Sequence, residues 1–375
     1  MIAPVDLTSL SAPAQKMAAA SAPLKLQEMA AKGVAPGLKP GEMVTLLVHF
    51  YTASERPTVK EASEKTLNAL PEPLLQGALG ADLPATVIDV LAAIFAARID
   101  VLDRLLGMPR VSPDTVDSLA QHGSEEVTEL VAVNEDRLLK NPQIIERLYL
   151  NKRTRMSTAD RLIDLAVRNG ITLNGIAAFK EAALAIQDEL IPMASEERSP
   201  DDELFTETSE LAEQLQKEST EEEDTHEETP EGEEVVKDKY LPLYQRIANM
   251  TVSQKIRRAM LGSKEERMLL VRDTNRLVAA AVVRSPMMQE NEAALISRNR
   301  NVSEDVLRIL ATIPAWSKAY GVKKNLVENA KTPIMISQRL VPMLREYDLK
   351  QIAKSKHITG AVKEAARRHL ERRKT

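Results

Sequence analysis

From residue 42 to residue 187, apolar side chains recur at intervals of three and four, the spacing that lines one face of an α-helix. Leu67, Leu70, Leu74, Leu75 and Leu79 form one such stripe, and Val87, Val90, Leu91, Ile94, Phe95 and Ile99 form a stronger one. Pro and Gly interrupt the pattern repeatedly, which predicts a series of short helices rather than a few long ones. No stretch alternates at period two and the β-branched clusters that strands favour are missing, so no sheet is expected. Residues 1–40, rich in Ala, Ser and Pro, predict a partly ordered lead-in with one short helix near 24–32. Helical periodicity resumes from residue 240 to residue 373 in shorter, more basic segments.

Helix starts are marked by a recurring local pattern in which a hydrophobe precedes Ser or Thr and apolar residues ending in Ala follow. It occurs at Val111-Ser112 to Ala120, Met156-Ser157 to Ala166, Val302-Ser303 to Ala311 and, more weakly, Ile358-Thr359 to Ala366. In this pattern the hydroxyl is expected to cap the first free amides while the preceding hydrophobe staples onto the first turn. A second start signal places Pro at or near the first helical position, as in Asn141-Pro142, Ser285-Pro286 and Thr332-Pro333. Ser112 and Ser157 lie 45 residues apart and Ser303 and Thr359 lie 56 apart. Such spacings fit repeated units of two or three short helices.

The segment Val271-Arg272-Asp273-Thr274-Asn275-Arg276, followed by Val278, Ala279, Ala280 and Ala281 and closing at Ser285-Pro286, resembles a HEAT-like or leucine-rich repeat variant unit. Asp273 and Asn275 stand where such a unit turns, and the paired Ala follow on its second helix. Arg276 precedes Val278, whereas the HEAT pattern usually carries its basic residue just after the Val. The continuation Ile296-Ser297-Arg298-Asn299-Arg300-Asn301-Val302-Ser303 resembles a second unit. The resemblance is clear over 262–312 and faint over 110–170 and 321–373. It implies an α-solenoid and leaves function open, because such repeats serve many unrelated partners.

Charge changes this picture most. Of the 375 residues, 188–234 contain 20 acidic and 2 basic side chains, while 235–375 contain 29 basic and 13 acidic ones. The first block therefore balances at −18 and the second at +16, although the whole chain carries only −5. Four regions are expected: the lead-in 1–40, a helical domain 41–190, an acidic linker 191–236, and a basic HEAT-like domain 237–375. The linker, poor in apolar residues, is expected to be disordered, with at most a transient helix around Leu204, Leu211 and Leu215.

Candidate chemistry is sparse. The five histidines show no metal-ligand spacing, there is no Cys, and no nucleophile elbow or dinucleotide fingerprint occurs. Gly262-Ser263-Lys264 lacks the upstream Gly of a phosphate loop and reads as a helix end followed by a helix start. No catalytic, metal or cofactor site is therefore expected, and a non-enzymatic role is. The N-terminus shows no secretory signal, and no apolar run is long enough to span a bilayer, so a cytoplasmic protein without membrane insertion is expected.

Arg272, Arg276, Arg284, Arg298, Arg300, Arg308, Lys323 and Lys324 form the expected partner-binding basic face, with Trp316 and Tyr320 as candidate aromatic contacts. The expected function is that of a helical-repeat scaffold for protein partners, acidic ones among them, with the chain's own acidic linker covering the basic face. The alternative is duplex nucleic-acid binding along the basic solenoid.

Overall fold

The computed structural model describes residues 4–8, 10–187, 189, 191, 197–218, 224–229 and 234–374. It is predominantly helical, as the periodicity predicts. The chain divides into two compact units, Met1–Thr154 and Arg155–Thr375. The division thus falls inside the expected helical domain 41–190. The reason is packing: helix Met156–Arg168 lies against helix Pro200–Glu218, and Met156 shares a buried cluster with Phe205 and Met250.

In the first unit, helices Ala12–Ala18 and Leu24–Ala31 lie in the lead-in, and further helices follow from Pro40. The stripe read from Leu67 to Leu79 spans two of them, Pro57–Asn68 and Glu72–Leu79. Helices begin at Pro57, Ala85, Pro113 and Pro142, which are 28, 28 and 29 residues apart. Pro occupies the first position or the N-cap of each, where its missing N–H and fixed φ favour a helix start. Polar bonds reach back by a similar step. Arg98 contacts Glu72, 26 residues earlier, and Arg147 contacts Asp117, 30 earlier. Asn151 Nδ2 donates to the Ala120 carbonyl, 31 earlier. Apolar residues such as Leu47, Leu67, Leu75, Leu91, Leu102, Val131 and Leu148 form the core.

The second unit is built in two rows. Helices Val252–Leu261, Arg276–Val283 and Glu304–Thr312 pack in succession, and so do Lys264–Leu270, Glu290–Arg298 and Tyr320–Glu328. Helices Ile334–Leu340, Glu346–Lys354 and Gly360–Lys374 follow. The second row begins at 264, 290 and 320, steps of 26 and 30 residues. Val278, Val306, Leu307 and Leu310 are buried, whereas Leu295 is only half-buried. Ser263 opens the second row with a capping box, its hydroxyl accepting from Glu266 N, so Gly262-Ser263-Lys264 is a helix junction.

Four expectations differ from the structure: a disordered linker, the absence of any sheet, Ser157 as a cap and Pro286 as a helix start. Disorder over 191–236 is replaced, among the described residues, by helix Pro200–Glu218 and an antiparallel pair of strands, His226–Glu228 and Glu234–Val236. Residues 192–196, 219–223 and 230–233 of that stretch lie outside the described residues. The helix is ordered by a stripe of Asp202, Phe205, Thr208, Ala212 and Leu215, beside rather than along the Leu204–Leu211 line. The strands, three residues each, are too short to show alternation. Ser157 is not an N-cap, because helix Met156–Arg168 has already begun. Its N–H and hydroxyl both donate to Asp202, each at 2.9 Å. Pro286 starts no helix, since the next one begins at Glu290. Among the described residues no helix is long and apolar enough to cross a membrane.

Candidate functional site

The site grows out of a turn that recurs at the ends of the second-row helices. Asp273, Asn299 and Asn329 each follow such a helix, and each Oδ1 accepts the N–H two residues on, from Asn275, Asn301 and Lys331 at 2.8, 2.6 and 3.0 Å. Asn and Asp favour this geometry because the short polar side chain closes a ring with its own backbone. The Asn329 Nδ2 then reaches back to the carbonyls of Ser297 and Asn299, at 3.0 and 2.8 Å. At Asn299 the corresponding amide leaves the ladder and donates to Glu234 at 2.8 Å.

Glu234 belongs to the acidic hairpin. Its Oε1 also accepts from Arg272 Nε and Nη2 at 3.2 and 2.8 Å, and its Oε2 accepts from Asn301 Nδ2 at 3.0 Å. Arg272, with a side chain only 9% exposed, pairs with Asp224 as well, at 3.2 Å. Its third nitrogen is anchored on the Met268 carbonyl at 2.7 Å. One guanidinium therefore holds both Asp224, just before the first strand, and Glu234, at the start of the second.

These contacts set the local electrostatics. Burial pushes the Glu234 carboxyl up, but hydrogen bonds from Arg272, Asn299 and Asn301 and the Arg272 charge outweigh it, and the pKa settles at about 2. His226 falls to about 4 because burial, and then the Arg272 charge, disfavour the imidazolium. Both shifts act in one direction. The Glu234 contribution is complete above its ordinary 4.5 and is lost as pH falls toward 2. The His226 contribution is complete above 6.5 and is lost as pH falls through 4. The hairpin should therefore loosen on acidification. An NMR titration of the His226 ring in the whole chain should give a midpoint near pH 4, and a midpoint near 6.5 would place that ring in solvent.

Beside the hairpin opens a cavity of about 670 Å³, walled by His226, Glu227 and Glu228 on one side and by Arg298, Arg300 and Asn325 on the other. Arg298 and Arg300 are exposed and make no ion pair among the described residues.

Of the expected basic face, the structure brings Arg272, Arg298 and Arg300 together here. The other members are dispersed and mostly matched by acids. Arg276 pairs with Asp305, Arg284 with Glu181, Arg308 with Glu304 and Asp305, and Lys324 with Asp348 and Glu328. Lys323 is half-buried and makes no ion pair among the described residues. Trp316 ties helices together by donating from Nε1 to the Val283 carbonyl at 3.3 Å. The Tyr320 hydroxyl donates to Asp348 and accepts from Arg345 N, while the Arg345 guanidinium lies 4.6 Å from the ring centre. Both aromatics are half-buried in contacts within the chain.

Asn299, Asn301, Asp224 and Glu234 were not singled out from sequence as site residues. The repetition of Asp273-x-Asn275 as Asn299-x-Asn301 was the available signal for the amide pair, whereas nothing distinguishes Asp224 and Glu234 from neighbouring acids. Among the described residues, no group of three or more His, Asp or Glu side chains is placed to hold a metal ion. None of the protein-family models, curated proteins or solved structures compared matches the chain.

Proposed function

We propose that the chain is a non-enzymatic helical-repeat scaffold that binds other proteins, with the end of its acidic segment covering part of the basic surface of the second unit. A helical-repeat arrangement is supported by helix starts spaced 28, 28 and 29 residues apart in the first unit, and 26 and 30 apart in the second. Hydrogen bonds that reach back by a similar step, and the turn repeated at Asp273, Asn299 and Asn329, add to that support. Stacked modules of this kind present equivalent turns at regular intervals and so make extended binding surfaces.

The observation that carries the covering role is the seating of Asp224 and Glu234 on Arg272. The same positive charge motivates the nucleic-acid alternative. However, Arg272, Arg276, Arg284, Arg308 and Lys324 are already paired with acids of the chain, and cations so matched have little counterion release to offer a phosphate.

Affinity capture with the full chain, from nuclease-treated extracts of the source cells, tests this reading. Protein partners should be retained after nuclease digestion and lost when Arg298 and Arg300 are both replaced by Glu. Captured material that disappears on nuclease treatment would favour nucleic-acid binding instead.

A further inference from the structure

The acidic segment divides into two parts with different attachments. Helix Pro200–Glu218 is integral to the core, with Phe205 buried between Met156 and Met250 and its ring 5.2 and 4.8 Å from the guanidinium carbons of Arg257 and Arg258. The hairpin is different. None of its six strand residues is fully buried, and Val235 is exposed. It is held mainly by carboxylates on Arg272, Asn299 and Asn301. Charge-assisted hydrogen bonds of this kind can be exchanged for those of another carboxylate with little net change, whereas an apolar side chain pulled from a core cannot.

We propose that the turns after helices Lys264–Leu270 and Glu290–Arg298 form a recognition site for an extended acidic peptide of a partner protein, and that Glu234 is its resident stand-in. The inference rests on the scaffold reading and names the partner's chemistry.

Three features support it. First, the donors are positioned by groups other than the hairpin. Arg272 is anchored on the Met268 carbonyl, and the Asn301 N–H on Asn299 Oδ1 fixes the turn that carries both amides. The site is therefore built before any carboxylate arrives, and pre-organisation of that kind raises affinity. Second, four N–H donors from three side chains converge on one carboxylate of a β-strand residue, so the ligand observed is an acidic side chain on extended backbone. Third, the site continues past Glu234 into the 670 Å³ cavity, where Arg298 and Arg300 are without ion pairs among the described residues. When the hairpin leaves, Asp224, Glu227, Glu228 and Glu234 leave with it. Arg272, Arg298 and Arg300 then face Glu328 alone among the cavity-lining acids. That balance suits spaced carboxylates better than a continuous polyphosphate, which Glu328 would repel.

The test is fluorescence anisotropy at physiological salt with the full chain and a labelled peptide copying residues 224–237. A control peptide carries Asn and Gln in place of every Asp and Glu. Wild-type protein should bind the acidic peptide weakly, because its own hairpin competes. The double variant Asp224→Asn/Glu234→Gln should bind it about tenfold more tightly or better, the gain expected if the resident hairpin occupies the site nine-tenths of the time. Adding Arg298→Ala and Arg300→Ala should reverse that gain. Both arginines are exposed and unpaired among the described residues, so this step leaves folding intact, and equal melting temperatures would verify it.

Equal affinity of wild type and the freed variant would overturn the stand-in role. So would equal binding of the acidic and amide peptides, or displacement of the acidic peptide by duplex DNA at lower concentration than by the unlabelled peptide. A chain that still captures nuclease-resistant partners but shows any of these results keeps the scaffold reading and loses the peptide site. A chain that binds the peptide as expected but captures no partner does the reverse.

Discussion

Phe205→Ala should destabilise the second unit by about 3–5 kcal/mol, the range for deleting a buried aromatic ring. Phe205 is 4% exposed and packs with Met156 and Met250. Its faces also take the guanidinium groups of Arg257 and Arg258, and a cation over a desolvated ring is worth about 2 kcal/mol or more. Arg257 is fully buried and donates to the Arg155 carbonyl, so it has no solvent to turn to once the ring is gone. Arg258 keeps Glu266 and Ser209 as partners but loses the ring beneath its guanidinium. Thermal or denaturant unfolding of the full chain measures the effect. Glu203→Ala, on the exposed side of the same helix, should stay within about 0.5 kcal/mol and serves as the control. If Phe205→Ala is equally silent, helix Pro200–Glu218 belongs to a solvated linker rather than to the core.

That contrast shows where the sequence was legible. Helical periodicity marked the helices because it reports a local property, the face each segment buries. Ser112 and Ser303 were readable as caps for the same reason, and both accept from their own helices. Ser157 carries the same local signal, but its partner Asp202 stands 45 residues on, and only the fold brings the two together. The acidic segment misled because its charge was counted as a sum. Glu207 meets Arg246, Asp202 meets two serines, and Glu234 meets Arg272 and two amides. A carboxylate with such partners is as orderable as an apolar side chain. The regular spacing of helix starts was hidden for a related reason. Capped starts occur on any helix, so matching caps gave 45 and 56 residues, whereas the first unit's step of about 28 was written in Pro57, Pro84, Pro113 and Pro142.

The pair formed by Arg267 and Glu292 joins the two helices that lead into the proposed peptide site, and breaking it should have the second large effect. Arg267 lies on helix Lys264–Leu270 and Glu292 on helix Glu290–Arg298, the next in the row. Nε and Nη2 of the arginine donate to the two carboxylate oxygens at 2.8 and 2.7 Å, and Nη1 donates to the Gly262 carbonyl at 2.7 Å. The side chains are 5% and 1% exposed. Arg267→Met leaves a buried carboxylate without its counter-ion and should lose about 3–5 kcal/mol. The double variant Arg267→Met/Glu292→Leu removes both charges and should lose clearly less than the two single changes combined, because neither ion is left buried without its partner. Additive losses would mean that the two groups act independently. The consequence reaches the site because Arg272 follows the first helix and Asn299 and Asn301 follow the second. Their convergence on one carboxylate depends on how these two helices are spaced. In the freed Asp224→Asn/Glu234→Gln background, Arg267→Met should therefore weaken peptide binding even at temperatures where the unit remains folded. The apolar double variant restores packing without restoring the two-pronged alignment, so it should recover stability more fully than affinity.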